Sequence, residues 1–106
     1  MKHLLCLAAL SVTTAHAGFF TGNDLHTYMT SSSAAEQAIG AGYVIGIYDA
    51  LHSVEHCPKP GVTARQARDV VAQTLRDNPT VRNLPADAIV MASLARAWPC
   101  KTKPSM

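Results

Sequence analysis

The chain has 106 residues, which is enough for one small domain and too few for two. Lys and Arg number 9 against 7 Asp and Glu, giving a formal net charge of +2, and the longest basic cluster in the sequence is the Lys101–Lys103 tail. This near balance argues against nucleic acid or lipid headgroups as partners.

Residues 1–17 have the organisation of a cleaved secretory signal peptide. Met1–His3 form a basic start, positions 4–12 are apolar, and Ala15-His16-Ala17 has the small-x-small form that a signal peptidase recognises. We therefore expect cleavage before Gly18 and export to the periplasm. The expected mature protein is a single helical domain, residues 18–106, that no longer contacts the membrane.

Helix signals divide the mature chain into four segments, and no useful period-two strand pattern lies between them. The sequence therefore predicts an all-α fold, a small four-helix domain around a long central helix. The predicted segments are a first helix that follows the Thr21–Asp24 cap and ends near Met29, a central helix from Ala34 to Val54, a third from the Thr63–Gln66 cap to about Asp77, and a fourth from Pro85 to about Ala97. Residues expected to face inward are Ala67, Val70, Val71, Thr74 and Leu75 on the third helix and Ile89, Val90, Leu94 and Ala97 on the fourth.

Small residues recur every four positions along the central helix. This helix is apolar on almost every side, yet its apolar run is shorter than the ~20 residues of a membrane span. A helical glycine costs about 1 kcal/mol relative to alanine, and close backbone packing can offset that cost. We expect this small-residue stripe to pack against another helix of the chain or against a second copy in a homodimer. Its members are Ala38, Gly42, Gly46 and Ala50.

Two cysteines remain after signal cleavage, because Cys6 lies in the apolar part of the signal. An exported chain folds in an oxidising compartment, where Cys57 and Cys100 can form one intramolecular bridge. In the chain-entropy model such a long loop adds about 4 kcal/mol to stability. We therefore predict that this disulfide staples the domain.

The segment from His52 to His56 matches H-x-x-E-H, the inverted zinc-peptidase motif. A catalytic zinc also needs a third ligand, a base and a cleft, for which this small domain leaves little room. We interpret the two histidines as a solvated helix end near the last carbonyls, with adventitious metal binding alongside a reduced Cys57 as the alternative. No nucleophile motif or phosphate loop appears. We predict a non-enzymatic protein with no catalytic residue, metal site or cofactor.

Short motifs follow one another in a characteristic order along the whole mature chain. They are Thr21–Leu25, Gly42–Ala50, Cys57-Pro58 with Gly61–Thr63, Val70-Val71, Leu75, Asn78-Pro79, Leu84–Ala86 and Ala97–Cys100. This succession resembles the Rap/Tai family of type VI secretion immunity proteins. The resemblance implies a small periplasmic helical protein that binds a peptidoglycan amidase effector and obstructs its active-site cleft.

The resemblance also bears on the cysteines. The positions of Cys57 and Cys100 are similar to one bridge of the family. A second family pair, near the end of the first helix and early in the central helix, is missing, since this chain has Met29 and Ile39-Gly40 in those places. The first helix therefore lacks that covalent tie.

An inhibitor that blocks a cleft needs a projecting, polar segment that loses little entropy on binding. The connection between Asn78 and Leu84 is fixed by prolines at both ends, and we predict that it binds the partner. The predicted partner-binding residues are Thr80, Val81, Arg82 and Asn83, all four expected to lie in an exposed loop. The connection from Glu55 to Gly61 is the alternative.

A different functional class stays open at this point. Acid-stress periplasmic chaperones of the HdeA kind are also small, helical and tied by one disulfide. Such a chaperone dissociates at low pH and binds denatured clients, whereas an inhibitor stays folded. Behaviour in acid therefore separates the two classes, as a zinc assay separates both from an enzyme.

Overall fold

The computed structural model describes residues 20–101, which contain four α-helices: α1 (Gly22–Met29), α2 (Ala34–Ala50), α3 (Ala64–Asp77) and α4 (Ala86–Ala97). A short 3₁₀ turn, Pro79–Val81, lies between α3 and α4. These described residues contain no strand, so the all-α, four-helix prediction is confirmed. None of these helices is long and apolar enough to span a bilayer. The predicted signal peptide and its cleavage site lie outside the described residues.

Side-chain caps fix where three of the helices begin. In α1 and α3 the cap residue and the third helical residue exchange hydrogen bonds in a complete capping box. In α2 the Ser33 hydroxyl accepts from the Glu36 amide at 3.3 Å, while the Ser33 amide donates instead to the Ser31 hydroxyl at 2.9 Å. Only half of a capping box therefore forms there. The complete boxes are Thr21 with Asp24 and Thr63 with Gln66.

The hydrophobic core takes one buried stripe from each helix. On α3 the predicted inward face is buried along its centre and half-buried at its edges. On α4 the prediction is wrong at Ala97, which is exposed. Ser93 is buried instead, because its hydroxyl can donate to the Ile89 carbonyl at 2.7 Å and so loses no hydrogen bond. The buried apolar residues are Leu25, Val44, Tyr48, Ala67, Val71, Leu75, Ala86, Ile89, Val90 and Leu94.

The central helix ends at Ala50, which corrects the predicted end at Val54. Leu51 is its C-terminal cap, and Ser53 adopts a φ of 67°, in the left-handed region that no continuous helix contains. The chain then turns back so that His56 Nε2 donates to the Tyr48 carbonyl in the last turn of α2 at 3.0 Å. A side chain six residues beyond the end of α2 therefore satisfies a carbonyl that a longer helix would have used itself.

The small-residue stripe of α2 does not pack against another helix of the chain. Ala38, Gly42, Gly46 and Ala50 are all exposed, and a Cβ added at either glycine would meet no atom within 4 Å. The buried face lies two positions further along, at Gly40, Val44 and Tyr48. The intrachain half of this prediction is wrong, because the other three helices cover one side of α2 only.

Gly40 is a point of close approach between α1 and α2. A Cβ there would lie 2.7 Å from Met29 Cγ and 3.3 Å from the Met29 amide nitrogen. These are the neighbourhoods in which the resemblance implied a missing cysteine pair, so noncovalent packing replaces that tie. Phe20 adds to it, since its ring lies 5.3 Å from that of Tyr28 and 5.1 Å from that of Tyr43.

Gly22 should be intolerant of any side chain. A Cβ at this position would lie 2.8 Å from the Arg82 carbonyl oxygen and 2.9 Å from Arg82 Cα, which are backbone atoms that cannot move aside alone. We expect Gly22→Ala to lower the free energy of unfolding by about 2 kcal/mol in urea denaturation. Gly42→Ala is the matched control, with open space and an expected gain of about 1 kcal/mol. Equal stability of Gly22→Ala and the wild type would contradict this packing.

Candidate partner-binding surface

The connection from α3 to α4, residues 78–85, is held against α3 by the Arg82 side chain. Arg82 Nε donates to the Leu75 carbonyl at 2.6 Å, and its Nη2 donates to the Arg76 carbonyl at 3.3 Å. These carbonyls lie in the last turn of α3, where the helix itself leaves them without partners. The guanidinium therefore caps α3 and is half-buried, which corrects the expectation that Arg82 is an exposed loop residue.

The same connection is also held by α1. The Asn23 amide donates to the Arg82 carbonyl at 2.7 Å, and the Gly22 amide donates to the Leu84 carbonyl at 2.8 Å. The Ala86 amide in turn donates to the Phe20 carbonyl at 2.9 Å. The free amides at the start of α1 thus find their acceptors in this connection. Residues 82–84 are thus tied to the start of α1 as well as to the end of α3.

The four predicted partner-binding residues are divided by this arrangement. Thr80 and Asn83 are exposed, whereas Val81 and Arg82 are half-buried. Leu84, which the prediction did not include, is 45% exposed and is the largest apolar side chain that the connection presents to solvent. A leucine placed between two turns and before a proline was the sequence signal for it, because such a residue has no helix face to join.

A groove of about 360 Å³ lies between this connection and α4. Its walls are mostly apolar, and Arg96 is the one charged residue among those that line it. A second recess of about 330 Å³ continues from it between α3 and α4, sharing Thr74, Ser93 and Arg96. The apolar residues of the first groove are Val81, Leu84, Ala88, Ile89 and Ala92. We call this first groove the α4 groove.

Arg82 should contribute to folding more than a loop arginine does. We expect Arg82→Ala to lower the free energy of unfolding by about 1 to 2 kcal/mol, because it removes charge-assisted bonds to the end of α3. The exposed neighbour provides the control: Asn83→Ala should change stability by less than about 0.5 kcal/mol. Chemical denaturation of the two variants side by side measures both. Indistinguishable midpoints would show that the guanidinium does not stabilise α3.

The histidines of the H-x-x-E-H segment do not share a helix face, since α2 ends before both of them. His52 is exposed, with Nδ1 3.1 Å from the Ser53 hydroxyl. His56 is completely buried and stacks on the Tyr48 ring at 5.1 Å. The expected solvated helix end is therefore wrong for His56, although its contact with a last-turn carbonyl is as expected.

The hydrogen bonding of His56 defines its protonation state. A carbonyl oxygen can only accept, so Nε2 carries a proton in its bond to Tyr48, and in the neutral ring Nδ1 is the nitrogen with the lone pair. Nδ1 is buried and has no hydrogen-bond partner among residues 20–101. Burial is the largest influence on the pKa of this imidazole and lowers it, while the bond to the Tyr48 carbonyl opposes that change. Burial in the folded state therefore favours the neutral form of this side chain.

The connection from α2 to α3 is fixed by the disulfide. Cys57 is bonded to Cys100, as predicted, with a Cα–Cα distance of 4.8 Å. The Cys57 amide also donates to the Trp98 carbonyl at 2.8 Å. Cys57 is consequently no thiol ligand for a metal. No cluster of three or more His, Cys, Asp and Glu residues in 20–101 could hold a metal ion.

Comparison with known proteins agrees with this architecture. A family model described as Rap1a immunity proteins matches residues 21–100. The match includes all four helices and both bonded cysteines. No curated protein sequence matches the chain. The resemblance to Rap/Tai immunity proteins is confirmed, and the chain belongs to the Rap1a immunity protein family.

Proposed function

We propose that the chain is a periplasmic immunity protein of type VI secretion that binds a peptidoglycan amidase effector and occludes its active site. The family match over residues 21–100 is the observation that carries this role, with a protein effector as partner. The amidase identity of that effector and the blocked active site come from the motif resemblance. Protection by binding requires no turnover, so the chain acts as a stoichiometric inhibitor.

The geometry of the 78–85 connection supports a binding role. Its backbone is fixed by hydrogen bonds to α1, and Arg82 fixes it to α3, so little conformational entropy is lost when a partner docks. Thr80, Asn83 and Leu84 present polar and apolar groups side by side on this rigid base. Pre-organised surfaces of this kind bind with small backbone changes.

Two features support action outside the cytoplasm. Residues 1–17 have the pattern of a secretory signal, and the bond between Cys57 and Cys100 suits an oxidising compartment. Peptidoglycan amidases act on the cell wall, which lies in that compartment. An inhibitor must reach the same place as the enzyme that it neutralises.

A growth assay tests this function. Type VI amidase effectors are each directed to the periplasm of a sensitive strain, with the full chain or a leaderless chain from residue 18 supplied in trans. We expect the full chain to restore growth against at least one amidase and to inhibit its hydrolysis of purified peptidoglycan at one-to-one stoichiometry. The leaderless chain should not protect the cells. Lack of inhibition of every amidase effector tested in vitro would contradict the proposal.

A homodimer through α2 forms a second part of the proposal. The exposed stripe Ala38, Gly42, Gly46 and Ala50 has no charge and lets two identical helices approach closely around a two-fold axis. Each Gly46→Arg chain should fold with the melting temperature of the monomer. The mass measured by sedimentation should be half of the wild-type value. Thr27→Arg, on the exposed side of α1, should leave that mass unchanged. A wild-type chain that sediments as a monomer would rule this interface out.

A further inference from the structure

We infer that the α4 groove receives a projecting element of the effector whose tip is an apolar side chain beside a carboxylate. This inference rests on the proposed immunity role, and it specifies the chemistry of the surface that binds the effector. Here the immunity protein supplies the recess, and the effector supplies the projection.

The tethering of residues 78–85 is the first reason. The Arg82 side chain and backbone bind α3 and α1, and the Leu84 carbonyl binds the Gly22 amide. Residues 82–84 cannot extend into a cleft without breaking these ties. Val81 faces the groove as one of its walls and is already half-buried. The connection is therefore built as the rim of a recess.

The composition of α4 is the second reason. Ala88, Ala92 and Arg96 follow one another at four-residue spacing, and all three are exposed and line the groove. The small side chains of Ala88 and Ala92 leave room above the buried Ile89. Leu84 lies at the rim of the groove with 45% of its surface exposed. An apolar recess of this kind at a protein surface gains free energy when an apolar side chain fills it.

The charge of Arg96 determines which group of the effector should lie next to that apolar side chain. Arg96 is the one charged residue of the groove lining, and no carboxylate among residues 20–101 lies within ion-pair distance of it. The nearby Arg76 and Asp77 pair with each other at 3.6 Å. An arginine free at the edge of an apolar recess fits a carboxylate, which it can hold with two parallel hydrogen bonds.

A second copy of the chain is a poorer occupant. In a two-fold interface the same patch of each copy faces the other, and the groove lining contains no carboxylate that could meet Arg96. The exposed stripe of α2 has no such conflict. The effector is therefore the occupant that complements the groove.

Binding measurements with groove variants test this inference. The probe is the amidase effector that the wild-type chain neutralises, titrated by calorimetry against each full mature variant. Ala92→Phe fills the recess and should weaken binding by about 30-fold or more, and Arg96→Glu should weaken it by about tenfold or more. Ala92→Ser keeps the recess open, and Arg65→Glu reverses a charge on the exposed side of α3. Both controls should bind within about twofold of the wild type.

The effector side gives an independent readout. An effector variant with arginine in place of the contacting carboxylate should bind Arg96→Glu better than it binds the wild type. Wild-type affinity in both Ala92→Phe and Arg96→Glu would overturn the groove while leaving the immunity role intact. Groove variants that change the sedimentation mass but bind the effector like the wild type would also overturn the inference, since the groove would then serve self-association. If no amidase binds the wild type, the immunity proposal and this inference fail together.

Discussion

Replacing Cys57 and Cys100 together by alanine is expected to lower the free energy of unfolding by about 4 kcal/mol. The two residues are 43 positions apart, and the bond restricts the unfolded chain over that whole loop. Small domains have a total stability of about 5 to 15 kcal/mol, so the variant should lie close to its unfolding transition at body temperature. Guanidinium denaturation of the oxidised wild type and the double variant measures the difference.

The wild type under reducing conditions is the matched control for this change. Its denaturation midpoint should fall to that of the double variant, because both lack the same bond. Non-reducing mass spectrometry should show the oxidised protein two hydrogens lighter than the dithiol. A double variant as stable as the oxidised wild type would mean that the helices alone fix the ends of this loop.

Replacing His56 by alanine should lower the free energy of unfolding by about 3 kcal/mol. The side chain is 0% exposed, stacks on Tyr48 and donates to the Tyr48 carbonyl, so its removal leaves a cavity and a buried carbonyl without a partner. His52→Ala is the control, since His52 is exposed and should change stability by less than about 0.5 kcal/mol. Equal losses in the two variants would show that burial of His56 has no energetic weight.

The same histidine should make the fold sensitive to acid. Burial lowers the pKa of His56 in the folded state below its usual 6.5, so the folded state favours the neutral ring. Its contribution to stability is complete above 6.5, falls as the pH drops below 6.5, and is lost once the pH is below the lowered pKa. Protonation puts a proton on Nδ1, which has no acceptor among residues 20–101. His52, which lowers this pKa, and Glu55, which raises it, are the neighbouring titratable groups.

Urea denaturation of the wild type and His56→Leu between pH 8 and pH 4 isolates this effect. All other titratable groups are the same in both proteins, so the difference between the two curves belongs to His56. We expect the wild type to lose stability relative to the variant as the pH falls. A constant difference would contradict the assignment.

The acid titration also addresses the chaperone alternative. An immunity protein should remain folded and keep its solution mass at acid pH, although it is less stable there. A chaperone of the HdeA kind would dissociate and suppress aggregation of an acid-denatured client. Light scattering of such a client, with and without the chain, tells the two behaviours apart.

Local signals were sufficient to predict most of the fold. Thr63 and Gln66 sit three residues apart with an apolar stripe behind them, so one short stretch defines both the start and the buried face of α3. The two-cysteine count defined the disulfide in the same way. Each of these predictions needed only residues close in sequence, or a pairing with no competitor.

The errors arose where distant residues decide the outcome. Gly40 and Gly42 are equally suited to close helix packing, and the choice between them depends on the position of Met29 in α1. From the sequence alone, Arg82 resembles an exposed loop arginine. Its role as a cap depends on the position of the end of α3, which the local sequence does not show. The α4 groove likewise needs residues from three elements, so a periodic pattern in any one of them does not indicate it.

The hydrogen bonds between the start of α1 and residues 82–84 have a consequence for biogenesis. A chain that emerges amino-terminus first, from a ribosome or an export channel, delivers α1 long before its acceptors at Arg82 and Leu84 exist. Contacts between such distant parts of a sequence form late and slow the folding reaction. Until residues 82–84 have emerged, α1, a helix of 8 residues, can pack on α2 but lacks the acceptors for its first amides, so its start is open to fraying and proteolysis. A chain interrupted before residue 82 therefore leaves the start of α1 incompletely hydrogen-bonded, and we expect such a chain to be degraded faster than the full-length protein.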